Sequence, residues 1–137
     1  MTMKTEMQIE RDFYTFIKES SIGASIRGGL YRSEMRPANS VAEDAIVKFL
    51  AGYDAQIQSG IVLLHVYVPG IDIADGRKVA DKVRIGELES LICDFVRDFD
   101  NAEYLIETDG TPYATINQDI EQHLIVARLK FQRISND

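Results

Sequence analysis

Cysteine is nearly absent from this chain. Cys93 stands alone, so no disulfide can close within it, and a reducing compartment fits. Tryptophan is missing, and histidine occurs only as His65 and His123. Basic residues are outnumbered, 15 Lys and Arg against 22 Asp and Glu, for a net charge of -7. A uniformly acidic surface argues against wrapping around nucleic acid through phosphate contacts. It leaves open a smooth acidic wall past which DNA slides without sticking. No apolar run approaches the roughly 20 residues of a membrane helix, and no membrane partner is expected. Met1 to Glu6 lead into a segment carrying Glu10, Arg11 and Asp12, so no secretory signal is expected.

Against these absences stand 45% hydrophobic and 27% charged residues in 137. That balance predicts one folded domain, residues 1–137, rather than a disordered chain. Its most informative stretch is Gly60 to Gly70. Seven of the eight side chains from Ile61 to Val68 are apolar or aromatic, and Gly60 and Pro69-Gly70 close the run at either end. Such a run reads as a strand with both faces covered, since a half-exposed strand would alternate with polar residues. A short chain has few elements to supply two covers. A folded-over strand or a neighbouring subunit must serve as the second, and the neighbour is favoured, so an oligomer is expected.

The remaining elements follow from periodicity. Ile9, Phe13, Phe16 and Ile17 form one stripe of a helix over about Thr5 to Glu19. Ala24 to Arg32 reads as a strand broken by Gly28-Gly29, a bulge or a close backbone approach. Ser33 to Ser40 is a loop. Asp44 to Leu50 is a strand, Gly52 and Asp54 turn the chain, and the central strand starts near Gln56 as the partner in an antiparallel hairpin. Ile71 to Lys78 is loop-like. A second helix begins between Asp75 and Asp81, either of which can cap it. It carries Leu88, Leu91, Ile92, Phe95 and Phe99 on one face, with Gly86 explained by close packing on the sheet. Tyr104 to Glu107 is a short strand, Thr108-Asp109-Gly110 a turn, and Pro112 to Asn117 extended. Gln122 to Ile134 alternates, with Ile125, Ala127, Leu129 and Phe131 on one side and Val126, Arg128, Lys130 and Gln132 on the other. That pattern gives a strand with one wet face, at or near an edge. The expected fold is α+β, an antiparallel sheet with two helices packed on one face, in the order α-β-β-β-α-β-β(-β).

Chemistry is sparse. Two histidines and Cys93 lack the paired spacing of a zinc site, and no Gly-x-Ser-x-Gly elbow or phosphate-binding Gly-Lys-Ser/Thr loop occurs. No metal, cofactor or catalytic residue is expected, and the chain is read as non-enzymatic. The carboxylate pairs Glu43/Asp44, Asp98/Asp100 and Glu87/Glu89 read as solvated faces. Arg27, Arg32 and Arg36 read as ion-paired or solvated, or as a local cationic patch for an acidic neighbour or for DNA in a channel. The loops Ser33 to Val41 and Ile71 to Ala80 are candidates for partner contacts. The candidate contact residues are therefore Arg27, Arg32, Arg36, Asp72, Asp75, Arg77 and Lys78.

Taken together, the helix from Ile9 to Ile17, the hairpin ending at Pro69, the long loop, the helix from Leu88 to Phe99, the Thr-Asp-Gly-Thr-Pro-Tyr segment and the strand from His123 to Phe131 resemble bacteriophage neck and tail-completion proteins. The tail-terminator type is the nearest in pattern. The likeness lies in element order and strand character, and no signature residue transfers. It implies a non-enzymatic structural protein of a phage or prophage, forming a ring, typically hexameric, at the head–tail end of the tail tube. Its partners would be copies of itself and the tail-tube and neck proteins, with DNA only as passing cargo. It would be cytoplasmic during assembly and part of the virion afterwards. The alternatives are a small-molecule- or peptide-binding α+β module acting as a dimer, and a hydrolase using a carboxylate or the Cys93 thiol.

Overall fold

The computed structural model describes residues 3–53, 57–73, 76–117 and 122–134. Helix α1 (Glu6–Lys18) starts on a capping box, in which the Thr5 hydroxyl accepts from the Gln8 N–H and the Gln8 side chain accepts from the Thr5 N–H. Its stripe of Ile9, Phe13 and Ile17 is wholly buried. A second, five-residue helix follows, α2 (Ser21–Ser25), capped by the Ser20 hydroxyl. The expected strand from Ala24 to Arg32 is thus cut to β1 (Leu30–Arg32). The serine cap diverts the chain into a helical turn before the extended run can begin.

Strands β2 (Ala45–Tyr53) and β3 (Gln58–Pro69) form the expected antiparallel hairpin, with a register shift between Phe49 and Ala51. Asp54 and Gln56 lie outside the described residues. The segment expected as a plain loop holds two short paired strands, β4 (Ile71–Asp72) and β5 (Lys78–Val79). Helix α3 (Lys82–Asp98) is capped by Asp81, whose carboxylate accepts from the Arg84 N–H at 3.1 Å. The other cap candidate, Asp75, lies outside the described residues. Three further strands close the chain, β6 (Tyr104–Thr108), β7 (Tyr113–Asn117) and β8 (Gln122–Arg133).

The main sheet runs β1-β2-β3-β8-β6, with β7 also paired to β8. It is an α+β sheet of mixed character, because β1 lies parallel to β2 while the other pairs are antiparallel. The last strand is therefore central, not at or near an edge. Its alternation reflects one buried face, and β3 and β6–β7 occupy its two sides. The Thr108-Asp109-Gly110 segment does not reverse the chain either. Between Thr108 and Tyr113 the chain advances five positions while β8 advances three, from Leu129 to Val126. Two residues are looped out, Gly110 takes φ +84°, and β7 resumes in the direction of β6. A positive φ is what lets glycine make this excursion at low cost.

Paired residues share a sheet face. The inner face carries Val47, Val62, Leu64, Val66, Ile125, Ala127 and Leu129, all fully buried beneath the helices. Phe13 anchors that layer, its ring 5.3 Å from Tyr104 and 5.5 Å from Phe131, edge-on to the first and tilted to the second. The central strand alternates in burial: Val62, Leu64, Val66 and Val68 are sealed, whereas Ile61, Leu63, His65 and Tyr67 are half-buried. The expectation that both faces are shielded is thus met on one side only within the single chain.

Gly86 departs from expectation as well. It is exposed, and a Cβ built there meets nothing within 4 Å, so sheet packing does not require it. Gly86→Ala should therefore stabilise the fold by about 0.5–1 kcal/mol, read as a higher urea midpoint with an unchanged slope. Val66 is fully buried between Ala45 and Ile125. Val66→Asp should yield no soluble folded protein, because its carboxylate would be buried without a partner; expression yield and circular dichroism check this.

Candidate ionic hub and outer sheet face

The acidic pair Glu43-Asp44, expected on a solvated surface, is buried to 5% and 1% exposure. It lies just before β2, where two arginines and a turn of backbone close on it. The Arg84 guanidinium grips Glu43 with both prongs, Nε to Oε2 at 2.8 Å and Nη2 to Oε1 at 2.7 Å. The same guanidinium donates to the Ser25 carbonyl at 2.6 Å and to Glu87 at 3.1 Å. The Arg27 N–H donates to the Glu43 carboxylate at 3.1 Å. One salt bridge therefore joins α3, the end of α2 and the entry to β2.

Asp44 performs the matching task on the other side. It accepts from the Gly29 N–H at 2.7 Å, from Arg36 Nε at 3.0 Å and from the Ser40 hydroxyl. Arg36 reaches on to the Ser40 carbonyl at 3.1 Å and the Gln122 side chain at 3.3 Å, and its guanidinium stacks 3.8 Å above the Tyr67 ring. Gly28 explains itself here: a Cβ on it would stand 2.3 Å from the Asp44 carboxylate and 2.5 Å from the Glu43 carbonyl. The glycine pair is a close backbone approach, and what it approaches is the Glu43 backbone and the Asp44 carboxylate.

Burial alone would raise the pKa of both carboxyls. For Glu43 the Arg84 hydrogen bonds, the Arg27 N–H and the cationic charge outweigh burial and hold it below its ordinary value. For Asp44 the Ser40 hydroxyl, the Gly29 N–H and Arg36 do the same. Arg84 is pushed up, first by its hydrogen bond to Glu43. A second network ties the chain start to the far edge of the sheet. Lys4 bridges Asp12 at 2.6 Å and Glu103 at 3.0 Å, and the Tyr104 hydroxyl donates to Asp12 at 2.7 Å.

The candidate contact residues do not form one free surface. Arg32 is taken by Glu10 at 2.9 Å and Arg36 by Asp44, while Arg27 is exposed. Asp72, Arg77 and Lys78 sit exposed on the β4–β5 hairpin, and Asp75 lies outside the described residues. Arg27, Glu43, Pro69, Gly70, Ile71 and Asp81 help line a cleft of about 370 Å³. His65 faces outward from β3, His123 is buried on β8, and Cys93 is exposed on α3, so the three do not converge. Among the described residues no group of three His, Cys, Asp or Glu side chains is placed to hold a metal. No helix among them is long and apolar enough to cross a membrane.

Sequence periodicity gave the wet side of β8, and the structure shows which strands extend that outer face. Cross-strand pairing lays Ile46, His65, Val126 and Tyr113 in one row, and Lys48, Leu63 and Arg128 in the next. Arg36 covers the Tyr67 end, and the other outward side chains remain partly exposed, with Leu105 at 55% and Tyr113 at 54%. Burial pushes the His65 pKa down, and the charge of Lys48 beside it acts in the same direction. No protein-family model matches the chain, and no curated protein matches it.

The hub makes the fold acid-sensitive. Both carboxyls have lowered folded-state pKa values. Their contribution to stability is complete above the ordinary carboxylate range, near about pH 4, and falls away as pH drops below it. Glu43→Ala should cost about 3–5 kcal/mol at neutral pH, because it strands the buried Arg84 guanidinium. Glu87→Ala, at the exposed end of the same network, should cost less than about 1 kcal/mol. The stability lost on going to pH 3 should also be smaller in the Glu43 variant than in the parent. Urea titrations of the three proteins at both pH values check the pattern.

Proposed function

We propose that this chain is a non-enzymatic structural protein of a phage or prophage, of the tail-terminator or tail-completion kind, that works as a ring of copies at the head–tail end of the tail tube. The observation that supports this reading is the outer sheet face. The wet face of an antiparallel sheet ordinarily carries polar residues. The outward side of β3 carries Ile61, Leu63, His65 and Tyr67 instead, all half-buried with no helix layer above them. Burying such a face against a neighbour supplies the missing cover and removes apolar surface from water. The acid balance of the chain fits a conduit wall, since like charge keeps passing DNA from adhering. Its partners are copies of itself, the tail-tube and neck proteins, and DNA as cargo.

The buried acid–base groups support the same reading from another side. Glu43, Asp44, Arg84 and Arg36 are spent on holding elements together, which suits a scaffold that must stay rigid under load. A second reading, a binding module acting as a dimer, draws on the cleft of about 370 Å³ beside Arg27 and Gly70. Native mass spectrometry and light scattering of the purified chain over a range of concentrations separate the two. A closed ring of a single stoichiometry is expected. A chain that stays monomeric or dimeric at all concentrations, with a small molecule or peptide bound in that cleft, would favour the module.

A further inference from the structure

Building on the assembly reading, we infer that copies of this chain meet head to tail, the outer sheet face of one seating the outward side of α3 of the next. The argument is charge placement. Arg36, over the Tyr67 end, is paired with Asp44; of the other charged side chains on or beside the outer face, Lys48, Arg128 and Lys130 are basic and Glu107 and Asp109 acidic. That region carries +1 in a chain of -7. Arg128 and Lys130 are partly countered within the face, by Asp109 at 3.0 Å and Glu107 at 3.7 Å. Lys48 is exposed on β2 beside Leu63, just past the end of the β1 ladder.

The acid lies on the opposite side of the molecule. The outward stripe of α3 runs through Gly86, Glu87, Ser90, Cys93, Asp94 and Asp98, with Asp100 just beyond. Its last-turn cation, Arg97, is shared between Asp94 at 3.2 Å and Asp98 at 2.9 Å, so this end of the helix stays acidic. The centre of the stripe is made of small side chains, which allow close approach to a flat sheet. The outward side of α1 balances Glu6 and Glu19 against Arg11 and Lys18 and offers no such complement.

These placements also weigh against the symmetric alternative. Packing two outer faces back to back would bring Lys48 and its equivalents into one desolvated interface, like charge against like. Sheet against α3 pairs opposite signs and uses two different patches. Such a contact is heterologous, and it propagates into a ring or a filament rather than stopping at a dimer.

The test uses charge swaps at exposed positions of the full chain. K48E/K130E makes the sheet face acidic, and D94K/D98K makes the α3 stripe basic. Circular dichroism first establishes that both variants are folded. Each alone should need at least tenfold more protein than the parent to reach half assembly. Mixed one to one, they should regain the parental size by native mass spectrometry, as species containing both variants in equal number, because every interface then pairs opposite charges. Retention of parental assembly by either variant alone, or failure of the mixture to recover it, overturns the head-to-tail contact and leaves the assembly reading standing. A parent that never assembles overturns both.

Discussion

Two adjacent carboxylates fix how the layers of this molecule meet. Glu43 and Asp44 sit at the mouth of β2, and from there one salt bridge runs to α3 and another to the 33–40 segment. Their backbone and side chains also receive the N–H groups of Gly28 and Gly29. α1 has its own polar ties to the sheet, Glu10 to Arg32 and Asp12 to Tyr104, and the remaining contacts between the layers are largely apolar, strong but weakly directional. A bidentate guanidinium fixes angle as well as distance. The hub thus sets where the N-terminal end of α3 stands over the sheet, while the aromatic cluster around Phe13 anchors the other end of the layer. Burying charge in this way contributes little net stability on its own, yet loss of a single partner is costly.

That arrangement divides the protein into two surfaces of different character. Beneath the helices, among the described residues, every buried polar side-chain atom has a partner and the central core side chains are sealed. Across the outer face the same strands show the other half of their residues, and the alternation that fills the core leaves Ile46, Ile61, Leu63 and Val126 half-exposed. The sheet is therefore finished on one side only. A functional reading based on assembly takes its force from that asymmetry, and from the sign of charge on the two sides, rather than from any cluster of reactive groups.

Periodicity made much of the architecture legible. The helix stripe of Ile9, Phe13 and Ile17, the hairpin before Pro69 and the last strand all follow from local pattern. The hub did not, because Glu43 and Asp44 look like any solvated acidic pair until residues 41 positions away, in the case of Arg84, are known to face them. The one available signal was Gly28-Gly29, which announced a close approach without naming the partner. The position of β8 was also hidden. Alternation reports how faces differ and is silent on which strands lie alongside. Thr-Asp-Gly read as a reversal because its turn chemistry serves equally well for a bulge. Gly86 misled in the opposite direction, having been credited with a packing role in a place that is open to solvent.

The interrupted partner of β8 has a consequence for how the family of sequences around this fold could vary. β6 and β7 are each stitched to β8 by their own ladder, and the Asp109 N–H still bonds the Arg128 carbonyl at 2.8 Å, so only the residues from Gly110 to Pro112 bear no register. Length can be added at that point without shifting a side chain on either flank. An inserted tag, or an entire appended module, would hang from the rim of the sheet while the strands kept their alignment. A lineage could graft new material here at little structural expense.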